Sequence, residues 1–288
     1  MPQLVVSGLT LGAVYALVAL GLLLIFSAAR VVNFAQGQLL MIGAYLAIAA
    51  QVRHGLPAWA AYGLTLAAMA LLGVVFMLVA WRPLRGRPTH LVILTTIAMG
   101  IILENLALIV WGPLPVSLPA PLVGRPWRVA GGVITMQQMF VMGTTMLTLV
   151  ALSLFMTRTR FGVLMRATAQ DLDMARLVGI RVDRTIAAAF AIGSALAGLA
   201  GLLVAPLYLA EPTMGGSLGL KGFVVAVVGG FGNLPGAVVG GLGLGLIEAF
   251  AARYVSAEYR DAVAFIIMIA MLCVRPRGLF GETVGERV

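Results

Sequence analysis

Residues 4–26 carry no charged side chain, and neither do 35–51, 57–80, 136–156 or 185–208. A membrane-spanning helix needs about 20 mostly apolar residues. Further stretches of this kind run over 91–111, 234–252 and 259–274, so eight are counted, with 35–51 and 259–274 the short ones. Polar or helix-breaking residues mark the breaks: Arg30 with Asn33, Arg53-His54-Gly55, Arg82-Pro83, a Pro-rich stretch over 112–135, Glu211-Pro212 and Gly232-Asn233-Leu234-Pro235. A soluble globule cannot be built this way. Only 10% of the 288 residues are charged and 61% are hydrophobic, against roughly 25% charge in an average soluble domain. The expected fold class is an all-α polytopic membrane protein, a single transmembrane domain over 1–288 with the lipid bilayer as its solvent. Met1-Pro2-Gln3 has no basic lead, and the apolar run after it is longer than a signal segment, which predicts a retained first helix.

The net charge of +9 rests on 18 arginines and one lysine, Lys221. Because the arginines sit between apolar segments, they point to loops facing anionic lipid and not to nucleic acid. Six of them (158, 160, 166, 176, 181 and 184) crowd into 157–184, three into 81–90, and three, Arg275, Arg277 and Arg287, into the tail. The positive-inside rule places these segments in the cytoplasm and the N-terminus outside. The loop 112–135 is then outside as well. Parity fails after 185–208 unless something between 209 and 233 returns the chain inward. The only candidate is 218–231, too short for an ordinary span. A broken or short helix at membrane depth has to be enclosed by protein or line a cavity, as beside transporter pathways.

The stretch 157–184 is long for a connection. Within it, Arg166–Gly179 is helix-compatible and ends on a glycine suited to a C-cap. Ala167, Leu172, Ala175 and Val178 fall on one side at helical spacing, while Asp171, Asp173 and Arg176 supply charge elsewhere. Asp173-Met-Ala175-Arg-Leu-Val-Gly179 has the acidic-x-Ala-x-x-x-Gly pattern of the coupling loop in ABC importer permeases. Arg166, Asp171, Asp173, Ala175 and Gly179 are therefore the candidate ATPase-coupling residues, with Ala175 expected on the docking face. The turn Gly229–Gly236, including Gly232, Asn233, Pro235 and Gly236, falls on the same predicted side and is a candidate second cytoplasmic contact.

Several further stretches join this one: Gly12-Ala-Val-Tyr-Ala-Leu17, Asn33-Phe-Ala-Gln-Gly37, Met41-Ile-Gly-Ala-Tyr45, Ile102-Leu-Glu-Asn105, Gln170–Ile180, Gly229–Gly236 and Glu258-Tyr-Arg-Asp261. Together, over about residues 5–281, they resemble the LivH-type branched-chain amino acid permeases. The resemblance implies the inner-membrane subunit of an ABC importer, assembled from two permeases, two cytosolic ATPases and a periplasmic solute-binding protein. It leaves open whether the second permease is another copy or a different chain. Asp173 departs from the wider pattern, which has Glu there. The chain has no Gly-x4-Gly-Lys-Ser/Thr, so ATP hydrolysis has to come from another chain.

Glu104, Asn105 and Glu248 fall inside apolar spans, where polar groups are costly and face the bundle interior or water. They either line the pathway or make interhelical hydrogen bonds. Asn33 is expected to N-cap the second helix. The 35 glycines are expected to serve close helix packing. Gly215-Gly-Ser217-Leu-Gly219 formally matches a nucleophile elbow, but the only histidines, His54 and His90, lie in distant loops, which argues against an enzyme. With one cysteine, Cys273, there is no internal disulfide and no Cys-rich metal site, and no cofactor is expected. Within the transporter class, urea, amides or a sugar are alternative substrates. Outside it, the rival is a proton-coupled carrier using Glu104 or Glu248.

Overall fold

The computed structural model describes residues 1–280 except 123, 125, 130, 131 and 257, with the backbone alone for 129 and 173. Arg125, Arg287 and the side chain of Asp173 thus lie outside the described residues. Eleven α-helices are described, in chain order: α1 (Pro2–Ala29), α2 (Gln36–Ile48), α3 (Ala58–Phe76), α4 (Thr89–Trp111), α5 (Met136–Arg158), α6 (Arg160–Gln170), α7 (Leu172–Leu177), α8 (Val182–Val204), α9 (Met214–Gly229), α10 (Leu234–Tyr254) and α11 (Arg260–Val274). π-Helical turns extend α2 to Arg53 and α3 to Trp81. Among the described residues the one sheet is a hairpin, β1 (Trp127–Val129) with β2 (Gly132–Ile134). Each expected apolar stretch falls on one of these helices. Six helices are long and apolar enough to cross a membrane: α1, α3 with its extension to Leu84, α4, α5, α8 and α10.

Local chemistry sets the ends. Pro2 opens α1, where its missing N–H costs nothing. Thr135 and Gln138 close a reciprocal capping box on α5. Asn233 accepts from the Gly236 N–H at 2.8 Å to start α10.

Contacts at the helix ends sort the chain into two ends. At one, Met1 accepts from the Tyr254 hydroxyl, Gln3 accepts from the Val133 N–H, and Val116 exchanges backbone hydrogen bonds with Ala210. Trp59 stacks edge-on against Phe140 there. At the other, basic end, Arg30 reaches the Ala169 carbonyl, Arg85 pairs with Asp183, Phe26 meets Phe231, and Asn233 donates to the Phe280 carbonyl. The chain therefore alternates between ends, and α9 makes the returning passage that parity required. Its 16 residues span about 24 Å at 1.5 Å per residue, less than the ~30 Å hydrocarbon core.

The core is organised around α1, where no residue from Val14 to Leu20 exceeds 1% exposure. Glycine lets its neighbours approach. A Cβ on Gly12 would lie 2.6 Å from the Gly241 carbonyl oxygen, and one on Gly245 would lie 2.4 Å from the Gly12 nitrogen. Close backbone contact of this kind supplies the dispersion that holds helices together where lipid removes the hydrophobic drive.

Candidate coupling surface and intramembrane polar clusters

At the basic end α5 stops at Arg158, and the Thr159 hydroxyl accepts from the Gly162 N–H at 3.1 Å to start α6. The buried residues Gly162, Met165 and Thr168 recur every three positions and turn one face of α6 into the bundle. Arg166 and Gln170 project from the other side into a groove of about 750 Å³. Gly232, Asn233 and Pro235 line the same groove, together with Arg30 and Arg277. The two regions singled out in the sequence, separated by some sixty residues, thus share one cavity. Gly236 stands behind it as the N–H donor to Asn233.

The helix expected over Arg166–Gly179 is interrupted. Asp171 adopts an extended conformation (φ −155°, ψ 116°) that ends α6, and its carboxylate accepts from the Met174 N–H at 3.0 Å, starting α7. Asp171 is thus an N-cap, the role short acidic side chains fill well. Gly179 has φ +85°. Its N–H donates to the Arg176 carbonyl and the Ile180 N–H to the Ala175 carbonyl, which is the paired hydrogen bonding of a Schellman cap. The glycine stop is as the sequence implied.

Ala175 is a correction. It is 3% exposed, turned into the bundle and not outward, whereas Val178, expected beside it, is 75% exposed. α7 ends at Leu177, so Val178 lies beyond it in the turn that Gly179 closes, and helical spacing counted from Ala175 no longer holds. The outward face of α7 and of the turn after it carries Met174, Leu177 and Val178, with Leu177 80% exposed.

The intramembrane residues separate. Asn105 is exposed, its amide donating to the Ile101 carbonyl one turn back, and Glu104 is half-buried beside it. Glu248 is 0% exposed. Its Oε2 accepts from the Tyr15 hydroxyl at 2.8 Å, the Arg260 Nε at 2.9 Å and the Lys221 Nζ at 3.2 Å. Arg260 also donates to Tyr15, and Lys221 pairs with Asp261 at 2.8 Å. Two acidic and two basic side chains from α9, α10 and α11 balance formally around a tyrosine of α1. Sequence reasoning found Glu248 alone. Its partners lie 12, 27 and 233 positions away along the chain, and the signal that could have found them was the single lysine inside an apolar stretch.

One other expectation changes. Asn33 is not the N-cap of α2: Ala35 is, and Asn33 accepts from the Ala35 N–H at 3.1 Å in the irregular segment before it. Ser217 sits on the first turn of α9 and donates to the Met214 carbonyl, so the elbow-like sequence forms no elbow. Among the described residues no cluster of three or more His, Cys, Asp or Glu is placed to hold a metal.

The family described as "Branched-chain amino acid transport system / permease component" matches residues 4–272. The high-affinity branched-chain amino acid transport system permease protein LivH of Escherichia coli (strain K12) is 36% identical over 304 residues, covering 99% of this chain and 97% of that protein. BraD of Pseudomonas aeruginosa, described in the same words, is 36% identical over 299 residues with the same coverage. Among solved structures, PsaBC from Streptococcus pneumoniae in complex with Fab superposes with a TM-score of 0.52 at 12% identity, covering 94% of this chain and 91% of that one; the likeness there is of fold alone. With the family matched over nearly the whole chain and the helical membrane bundle in place, this protein belongs to the branched-chain amino acid transport system permease components.

Proposed function

We propose that the chain is the inner-membrane permease of a bacterial ABC importer that moves branched-chain amino acids into the cytoplasm. It works with a second permease, two cytosolic ATPases and a periplasmic solute-binding protein. The observation that carries this reading is the 36% identity, over 99% of the chain, to permeases named for that transport. The missing phosphate-binding loop supports it, since the energy then comes from separate subunits.

The basic end is the cytoplasmic one in this reading, because 13 of the 18 arginines lie on segments assigned to it. α6 and α7 form the coupling element, one transmembrane permease domain providing both it and the spans. Met174, Leu177 and Val178 dock in the ATPase, while Asp171 and Gly179 hold the helix that presents them. Arg30 is the link to the spans. It ends α1 at φ +56°, a conformation costly for a side chain with a Cβ, and its guanidinium grips the Ala169 carbonyl of α6. A displacement of α6 on ATPase closure is therefore passed to α1, the most buried helix. The groove shared by Arg166, Asn233 and Pro235 gives a second point at which an ATPase can bear on the turn before α10.

The test is the assembled complex in proteoliposomes, followed by radiolabelled leucine uptake and ATP hydrolysis. ATP-dependent uptake that needs leucine-loaded binding protein is expected. Uptake driven by a proton gradient without ATP, or none in an assembled complex, overturns the reading. Leu177→Asp should leave permease abundance unchanged, as an exposed position shifts stability by about 0.5 kcal/mol or less, while binding protein no longer stimulates hydrolysis.

A further inference from the structure

A second cavity, of about 290 Å³, lies where α2 and α9 begin. The chain enters it through the irregular segment 31–35, which is buried among helices. Non-helical backbone inside a membrane bundle persists where it is enclosed or lines a cavity, and transporters place substrates beside such interruptions. Two polar side chains of this region are each 1% exposed, Asn33 and Gln36, and both line the cavity. Each uses one end of its amide. The Asn33 Oδ1 accepts from the Ala35 N–H, and the Gln36 Nε2 donates to the Gly193 carbonyl at 2.9 Å. The other ends, Asn33 Nδ2 and Gln36 Oε1, are buried without a partner in the structure. Such orphans are rare in folded proteins and each one asks for an explanation.

One orphan is a donor and the other an acceptor. Gln38 adds a third amide to the wall, and the other side chains are apolar: Leu22, Phe34, Ile97, Ile101, Leu220 and Phe223. Backbone supplies the last side, since Gly37 crosses Gly215 and Gly219 so closely that a Cβ on Gly37 would fall 1.9 Å from the Gly215 carbonyl oxygen. We infer that this cavity is the seat of the transported molecule within the permease, and that it takes one zwitterionic amino acid with an apolar side chain. The Asn33 amide N–H meets the α-carboxylate, the Gln36 carbonyl oxygen meets the α-ammonium, and the side chain rests on the leucine, isoleucine and phenylalanine wall. The inference rests on the transport reading above and adds the place and the contacts. Size agrees: small-molecule pockets start at roughly 300 Å³, which suits a single amino acid and no oligomer. Chemistry narrows it further. A sugar brings hydroxyl groups to every side, whereas this wall sets three amide side chains, Asn33, Gln36 and Gln38, against six apolar ones, and urea has no use for those six. Ile97 and Ile101 of α4 line one side, and Glu104 and Asn105 follow about one turn beyond Ile101 on that helix.

Gly216 provides the test. It lines the cavity, and a Cβ built there meets no atom within 4 Å, so a larger side chain fills the cavity without displacing the fold. The complex with Gly216→Leu, reconstituted with its ATPases and binding protein, is expected at parental abundance. Leucine uptake relative to alanine uptake should fall by about tenfold or more, the discrimination a hydrophobic pocket makes for a methylene or more, while loaded binding protein still stimulates ATP hydrolysis. Asn33→Asp is the second variant. It keeps the oxygen that accepts from Ala35 and replaces the free donor with an acceptor, so uptake of all the amino acids should fall together. A Gly216→Leu complex with the parent's rate and size profile overturns the inference, as does an Asn33→Asp complex with parental uptake. Should the parent complex import no amino acid at all, the transport reading itself fails, and the cavity's assignment with it; parental import with indifferent variants removes the cavity alone.

Discussion

Two polar clusters lie inside this membrane bundle, and they are built on opposite principles. Around Glu248 every donor converges: a hydroxyl, a guanidinium and an ammonium all reach one carboxylate oxygen within 3.2 Å. Around Asn33 and Gln36, two side chains that line a cavity each keep a buried polar atom without a partner, one a donor and one an acceptor. The first cluster joins four helices and has little capacity left for a ligand, since only the Oε1 of Glu248 stays unpaired. The second keeps capacity in reserve. An intramembrane polar residue is therefore not a functional site by its cost alone. What separates a clamp from a binding site is whether its hydrogen-bonding capacity is already used.

The sharpest way to break this comparison is to empty the clamp. Glu248→Ala leaves Lys221 and Arg260 without their shared acceptor in the bundle, and breaking a buried ion pair costs about 3–5 kcal/mol. The variant should fall to a small fraction of parental abundance in the membrane, measured by quantitative blotting, with a lowered Tm in detergent. Lys221→Met should be milder, because Tyr15 and Arg260 still donate to the same oxygen. Parental abundance of Glu248→Ala would make the cluster dispensable to the fold and return Glu248 to the candidates for the transport pathway.

A smaller loss is expected from Ala175→Trp. Overpacking a filled interior costs typically about 1–3 kcal/mol, and Ala175 is buried against the bundle. The variant should lower permease abundance together with transport. A normal amount of inactive permease would instead mean that this residue faces the ATPase.

Smaller again is Gln36→Met, which exchanges a half-used amide for an apolar side chain of similar length. It gives up one hydrogen bond to the Gly193 carbonyl, worth about 0.5–1.5 kcal/mol, and also removes the buried orphan oxygen, whose desolvation costs about 1–3 kcal/mol. The two oppose each other, so Tm should stay within a few degrees of the parent while leucine uptake is lost. Stability kept and function lost is the signature that distinguishes the cavity from the clamp.

How much of this was legible in the sequence follows from range. The apolar helices, the short returning helix α9 and the glycine stop at Gly179 are encoded locally, by hydropathy, arginine placement and the φ > 0 requirement of a helix end, and six of the helices are long and apolar enough to cross a membrane. The inward turn of Ala175 was illegible because α7 runs only from Leu172 to Leu177, and Val178, counted with it, lies in the turn that Gly179 closes. The clamp was illegible because Tyr15, Lys221, Glu248 and Arg260 meet only once α1, α9, α10 and α11 have packed. Asn33 was misread for a related reason. Its position before an apolar run is what an N-cap requires, and only the folded chain shows its carbonyl oxygen used at Ala35 and its amide nitrogen turned to a cavity.

The smallest effect belongs to the ion pair that most resembles the clamp in chemistry and least in setting. Arg85 and Asp183 join the loop after α3 to the first turn of α8, with side chains 34% and 48% exposed. Water solvates both groups when the pair is apart, so little is gained by closing it, and exposed pairs contribute about 0–1 kcal/mol. Arg85→Ala should lower Tm by a degree or two at low salt. Raising the salt to 1 M shortens the screening length from about 10 Å at 0.1 M to about 3 Å, and the difference from the parent should then vanish. The Glu248→Ala deficit, centred on a carboxylate that is 0% exposed, should persist under the same change. Equal salt sensitivity of the two variants would show that the Glu248 cluster is reached by water and is no closed clamp, and the contrast between the two intramembrane sites would lose its physical basis.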